Sequence, residues 1–282
     1  MTKKRRRHRR LTLRVFGVIL ILIAALIAWA AIDSRNIDVT RFTVSGAPEA
    51  FSGFKIAQIS DLHNAEFGTD NQKLIDILKS EAPDAIVITG DLIDARRTNT
   101  EIAESFARRC MEIADCYYVP GNHEARLGGT YDAFESALIA DGVNVLRNGS
   151  VRIRKEMDAI RIVGVDDPAF AKASDAITNL DAALEALSSD DFTILLAHRP
   201  ELIDEYSKWE IDLVLSGHAH GGQIRLPGIG GLYAPGQGFF PKYTSGNYTV
   251  GDTEMIVSRG IGNSAFPLRV NDRPEVVIVT LK

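Results

Sequence analysis

Cysteine is scarce in this 282-residue chain: only Cys110 and Cys116 are present. That excludes a disulfide-stapled scaffold, and the pair stands at no zinc-ribbon spacing. Buried free thiols are the expectation, with one disulfide as the alternative if the domain lies outside the cytoplasm. The ten prolines are scattered singly, and no internal repeat or low-complexity linker is visible. Basic charge is also missing from the body of the chain. Eight of the 32 Lys/Arg stand in residues 1–14, leaving 24 against 37 acidic residues. A nucleic-acid-binding surface needs a basic stripe on the folded part, so no nucleic-acid partner is expected.

What is present is an ordinary globular composition, 45% hydrophobic and 24% charged. Residues 15–32 form an uncharged apolar run directly after the basic tail. A run of that length with no polar face reads as a membrane span or signal. By the positive-inside rule the N-terminus stays in the cytoplasm and the rest is extracytoplasmic. The expected organisation is a basic tail (1–14), a transmembrane or signal-anchor helix (15–32), a linker with an edge strand (33–50) and one domain (51–282). Cleavage after Ala28-Trp29-Ala30, releasing a secreted domain, is the alternative; Arg9-Arg10 fits a twin-arginine signal poorly, because Thr12 replaces a bulky apolar residue.

Apolar runs at 54–60, 85–89 and 116–119 each end in a polar loop and are followed by helical periodicity at 70–80, 100–114 and 131–141. Strand-like stretches follow at 144–146, 151–154 and 160–165, then a helix at 175–187 and strands at 192–196, 211–215, 255–258 and 275–281. Alternation early and mixed strands late predict two facing sheets with helices outside.

Five of these strand ends carry Asp61/His63, Asp91, Asn122/His123, His198 and His218/His220. Ligand sites in α/β folds gather at that edge. All five histidines outside the basic tail fall in these loops. Singly, Asp61 or Asp91 would pass as a helix N-cap and Asn122 as a turn residue; together they read as a metal site. Two cations about 3.5–4 Å apart suit attack on an anionic phosphoester, and such a pair needs a bridging carboxylate, for which Asp91 is the candidate. Imidazole and carboxylate ligands without thiolate suit manganese, iron or zinc.

Asp61-Leu62-His63, Gly90-Asp91-Leu92-Ile93-Asp94, Gly121-Asn122-His123-Glu124, His198 and Gly217-His218-Ala219-His220 resemble, in order and spacing, the motifs of the calcineurin-like metallophosphoesterase superfamily. The resemblance implies a four-layer α-β-β-α sandwich with a dinuclear centre. Asp61, His63, Asp91 and His220 would hold one metal, and Asp91, Asn122, His198 and His218 the other. His123 would contact phosphate and protonate the leaving oxygen, with Asp94 orienting it or the loop, a helix cap being the alternative for Asp94. The anchor and Gly221-Gly222-Gln223-Ile224-Arg225-Leu226-Pro227 resemble the bacterial membrane-associated branch, grouped with phosphodiesterases and lipid-precursor pyrophosphatases. Asn122, His123 and Arg259 are the expected phosphate contacts, with an ordinary surface arginine as the alternative at 259. Tyr233, Phe239, Phe240 and Tyr243 are expected to pack a loop, the alternative being an apolar substrate wall.

The expected activity is hydrolysis of a phosphodiester or pyrophosphate on a lipid-linked or cell-envelope substrate. The competing readings are a phosphomonoesterase or protein phosphatase, and a non-catalytic scaffold. A reporter enzyme that works only outside the cytoplasm, fused after Lys282, is expected to be active; a fusion competent only inside the cytoplasm would reverse the topology.

Overall fold

The structure is a computed structural model describing residues 3–171, 180–182, 184–185, 191–263 and 266–282. Helix α1 (Lys3–Asp33) opens the chain. Its stretch Thr12–Asp33 has a mean hydropathy of 2.9 and is only 6% buried. At 1.5 Å per residue these 22 residues rise about 33 Å, enough to cross a hydrocarbon core.

Two six-stranded sheets follow. The first holds β1 (Asp38–Val44), β2 (Lys55–Ile59), β3 (Ala85–Thr89), β4 (Asp115–Val119), β5 (Asn144–Val145) and, from the chain's end, β12 (Glu275–Leu281). Its order is β1-β12-β2-β3-β4-β5, so the edge strand expected within residues 33–50 is part of the sheet. The second holds β6 (Gly149–Lys155), β7 (Asp158–Gly164), β8 (Phe192–Leu196), β9 (Leu213–Ser216), β10 (Gly246–Val250) and β11 (Thr253–Val257), in the order β10-β11-β9-β8-β7-β6. Strands β2 to β5 are parallel, as are β7, β8, β9 and β11. Each sheet therefore presents one edge of strand C-termini.

The side chains define four layers. Ala85 and Val87 join Ile194, Leu196, Leu213 and Ile256 between the sheets. Their neighbours Ile86 and Ile88 face the other way, against α2 (Gln72–Glu81), α3 (Thr100–Met111) and α4 (Gly129–Ala140), where Leu74, Phe106 and Phe134 cover them. Leu195, Val214 and Val257 form the outer face of the second sheet under Ile203, Tyr206, Leu180 and Leu184. Burial on both faces is why these strands read as unbroken apolar runs. Cys110 and Cys116 are free and buried in the helix-facing core. Most of the helix expected at 175–187 lies outside the described residues.

Phe106 is fully buried on α3, whereas Ile139 on α4 is exposed. Phe106→Ala is expected to cost about 3–5 kcal/mol, and Ile139→Ala no more than about 0.5 kcal/mol. Urea midpoints of the two variants check this, and equal midpoints would contradict the layer assignment.

Candidate metal centre

The loops leaving the strands run back against one another. Asp61 N–H donates to Gly90 O (3.0 Å), His63 N–H to Asp91 O (3.0 Å) and Gly217 N–H to His198 O (3.1 Å). Asp61, His63, Asp91, His218 and His220 all have positive φ, between 47° and 63°. Non-glycine residues there cost on the order of 1–3 kcal/mol each and persist only when the surroundings enforce them. Glycine is required beside them. A Cβ on Gly217 would come within 1.8 Å of Ser60 Oγ and 2.3 Å of Asp61 Oδ2, and one on Gly121 within 2.3 Å of Asp91 Oδ1.

This strained backbone brings seven side chains together in the interior. His63 Nε2 lies 3.3 Å from His220 Nε2 and 3.6 Å from Asp91 Oδ2, while His220 Nε2 is 3.5 Å from Asp61 Oδ1. His198 Nε2 is 3.3 Å from Asp91 Oδ2 and 3.1 Å from His218 Nδ1. Two ligand groups result, Asp61/His63/His220 and Asp91/His198/His218, with Asp91 also within 3.6 Å of His63 in the first. Asn122 is buried at the same edge with Oδ1 lacking a protein partner. His198 donates Nδ1–H to Thr89 O (2.8 Å), which leaves the Nε2 lone pair for a ligand when the ring is neutral.

Three of the four imidazoles are held in the form that binds a cation, and the fourth, His198, would give up its proton to one. Burial lowers His63 to about 3 despite Asp91, and also holds His218 and His220 well below the usual imidazole value, in the neutral form that ligates metal. Burial raises Asp61 to about 6 against the pull of His198. Burial alone would also raise Asp91 and lower His198. Their mutual attraction overrides it, leaving Asp91 well below the carboxylate range and His198 well above the imidazole range. Facing lone pairs, an orphan amide oxygen and two buried carboxylates fit a pair of metal ions.

Asp94 Oδ1 lies 3.4 Å from His123 Nδ1 and accepts from Arg96 N–H (2.9 Å), which fixes Asp94 to its own loop. A third ligand-like group, His63/Asp91/His123, includes His123. However, His123 Nδ1 accepts the Ala95 N–H (3.0 Å), which occupies one of its two nitrogens.

Arg259 is placed elsewhere than expected. It pairs with Glu275 (3.0 Å) and Asp38 (3.2 Å) and does not line the cavity over the ligands. That cavity, about 390 Å³, is lined by Asn122, His123, Arg96, Arg126, Arg199 and Phe266 among others. Of these arginines, Arg199 is already held by Asp167 (2.8 and 3.1 Å). The loop-packing expectation holds for Tyr243, buried against Tyr248. Tyr233 and Phe239 pack on each other edge to face (centroids 5.3 Å) yet stay exposed, as does Phe240. A larger cleft of about 680 Å³, lined by Asp191, Trp209 and Asp252, lies at the opposite strand ends, away from every ligand group described.

Two buried supports had no assigned role in the sequence. Glu124 accepts N–H bonds from Asp91 (2.9 Å), Gly121 (2.8 Å) and Ile93 (3.0 Å), clamping two ligand loops together. Burial and the nearby Asp91 raise its carboxyl, to about 8, against these donors. All three bonds are ones it accepts, which is the bonding of the ionised form. Arg269 donates to Arg259 O (2.8 Å) and Gly262 O (2.5 Å), fixing the loop whose Gly262 N–H bonds Asp61 O (2.7 Å). Glu124 closes the Gly121-Asn122-His123-Glu124 motif, whereas Arg269 has no sequence signal beyond its charge.

A mixed α/β sandwich with clustered Asp and His at its strand ends defines a candidate metallohydrolase. The family profile described as calcineurin-like phosphoesterase matches residues 54–222, and the chain belongs to that family. It is similar to the uncharacterized metallophosphoesterase YkuE of Bacillus subtilis (33% identity; 89% of this chain, 87% of that protein). It is also similar to a Danio rerio transmembrane protein with metallophosphoesterase domain (28% identity; 90% of this chain, 58% of that protein). The crystal structure of TT1561 from Thermus thermophilus shares the fold at a TM-score of 0.51 and 15% identity, over 74% of this chain and 91% of that one.

Asp91→Asn is expected to purify folded but short of metal by elemental analysis. Glu124→Gln, which sets an amide NH₂ against backbone donors, is expected to weaken metal binding about 10–100-fold. Full metal content at wild-type affinity in both variants would contradict this reading of the site.

Proposed function

We propose that the chain hydrolyses a phosphodiester or pyrophosphate bond in a lipid-linked or cell-envelope phosphate, on the extracytoplasmic side of the membrane. The observation that carries the reading is a complete ligand set converging on Asp91 in a chain that also holds a helix long and apolar enough to span a bilayer. The name of the Danio rerio relative, a transmembrane protein with this domain, agrees with that pairing.

Asp61, His63, Asp91 and His220 would hold one ion, and Asp91, Asn122, His198 and His218 the second. Bound there, two such ions neutralise phosphate oxygens, lower the pKa of a water and hold attacker and leaving group in line. Manganese, iron and zinc all suit these donors. The chain's own residues do the rest. With the Ala95 N–H on Nδ1, the neutral His123 ring carries its proton on Nε2 and can donate a hydrogen bond to the leaving oxygen. Passing a proton to it requires the cationic ring, which the neighbouring Asp91 and Asp94 favour against burial. Asp94, 3.4 Å from Nδ1, would stabilise that positive charge. Arg96 and Arg126 at the cavity wall add positive potential for an anionic substrate.

The full chain with manganese is expected to turn over bis-p-nitrophenyl phosphate faster than the p-nitrophenyl monoester. His123→Ala is expected to lower kcat by about 10²–10⁴-fold with metal content unchanged. No diester turnover would sink the proposal, and a preference for the monoester would assign the chain to phosphomonoesterases.

A further inference from the structure

β12 runs antiparallel to β2, with Val277 opposite Gln58, and β1 runs parallel to β12, with Asp38 opposite Glu275. β1 and β12 therefore begin at the edge where β2 ends, which is the edge that carries Asp61 and His63. Hydrogen bonds from Glu275 N–H to Gly260 O (3.1 Å) and from Ile261 N–H to Ser60 O (2.9 Å) join the two ends directly. Helix α1 stops at Asp33, and the tether from there to Asp38 reaches at most about 18 Å when fully extended. Arg273 shortens it further by pairing with Asp33 (2.7 Å) and Asp38 (3.4 Å). The apolar helix thus enters the domain from the metal-bearing edge.

The segment following the last ligand lies at that edge too. Residues 223–242 run out of the His218–His220 loop, and Gln223 and Tyr233 line the cavity. Reciprocal bonds between Arg225 N–H and Val270 O and between Val270 N–H and Gln223 O (both 3.0 Å) tie this segment to the stretch that ends in Arg273. It leaves Phe239 72%, Ile229 66% and Phe240 63% exposed. Phe240 does so at φ 54°, a strained conformation for an aromatic residue. Water gives no return for exposing that apolar area. In a chain whose body is rich in acids, residues 223–242 contain none, and their charged side chains are Arg225 and Lys242.

We infer that this segment is a bilayer-docking surface. It seats Ile229, Phe239 and Phe240 in the interface of the membrane that α1 spans, so the metal cavity opens at the level of the lipid headgroups. Aromatic and aliphatic side chains flanked by cations and free of acids match that interface. The inference rests on α1 as a membrane span and is independent of which phosphoester is cleaved.

The test uses the full chain in nanodiscs of mixed zwitterionic and anionic lipid, carrying Phe239→Cys or Phe240→Cys labelled with a polarity-sensitive fluorophore. The buried Cys110 and Cys116 do not compete for the label. The control is Met157→Cys; Met157 is 99% exposed in the turn before β7, at the opposite edge. A blue shift and quenching by lipids spin-labelled near the headgroup are expected at 239 and 240, with water-like emission at 157. Water-like, unquenched emission at 239 and 240, or equal quenching at 157, overturns the inference. A shift appearing only when two copies share a disc would assign the surface to self-association and also overturns it. The readout needs no turnover, so its failure is distinct from failure of the diester assay.

Discussion

The Asp91 carboxylate is the point on which both sheets converge. One oxygen faces His63 from the first sheet and His198 from the second, and the other accepts the His123 N–H at 2.8 Å. Burying a carboxylate costs several kcal/mol unless it is compensated. Compensation comes from both sheets at once, so the relative placement of the sheets and the integrity of the centre are one constraint. Gln58 reinforces it, donating from β2 to Ser216 O on β9 (2.9 Å) at the same edge.

The cost of that convergence is spread through the surrounding backbone. Five candidate ligands sit in the left-handed region, held by loop-to-loop hydrogen bonds and by glycines that allow close approach. Glu124 and Arg269 act beneath the ligands as fixed struts, each making several bonds to backbone groups. This is the organisation expected of a preorganised site, in which strain is tolerated because packing and hydrogen bonds leave no alternative.

Much of this was legible in the sequence because the signals were local. The apolar runs that become β3 and β8 mark strands buried on both faces, and the histidines fall in the loops after them. The edge strand expected within residues 33–50 is Asp38–Val44, at the rim of the first sheet. Arg259 misled, because a charge beside a glycine-rich loop says nothing about which of two acids it will meet; Asp38 and Glu275 reach it through a sheet pairing over 200 residues apart in sequence. The aromatics at 233, 239 and 240 are a related case: composition shows that they are apolar, whereas only the fold shows that they stay exposed. Arg96 enters the cavity from a turn and Arg126 from a single 3-10 turn, both too short to carry a periodicity.

The metal pair proposed to share Asp91 can be counted and its coupling observed. Its most direct test is paramagnetic resonance of the intact chain loaded with manganese. Two ions per chain and the multiline signal of a spin-coupled pair are expected. A single ion per chain at saturation, or two ions with only uncoupled six-line signals, would contradict it.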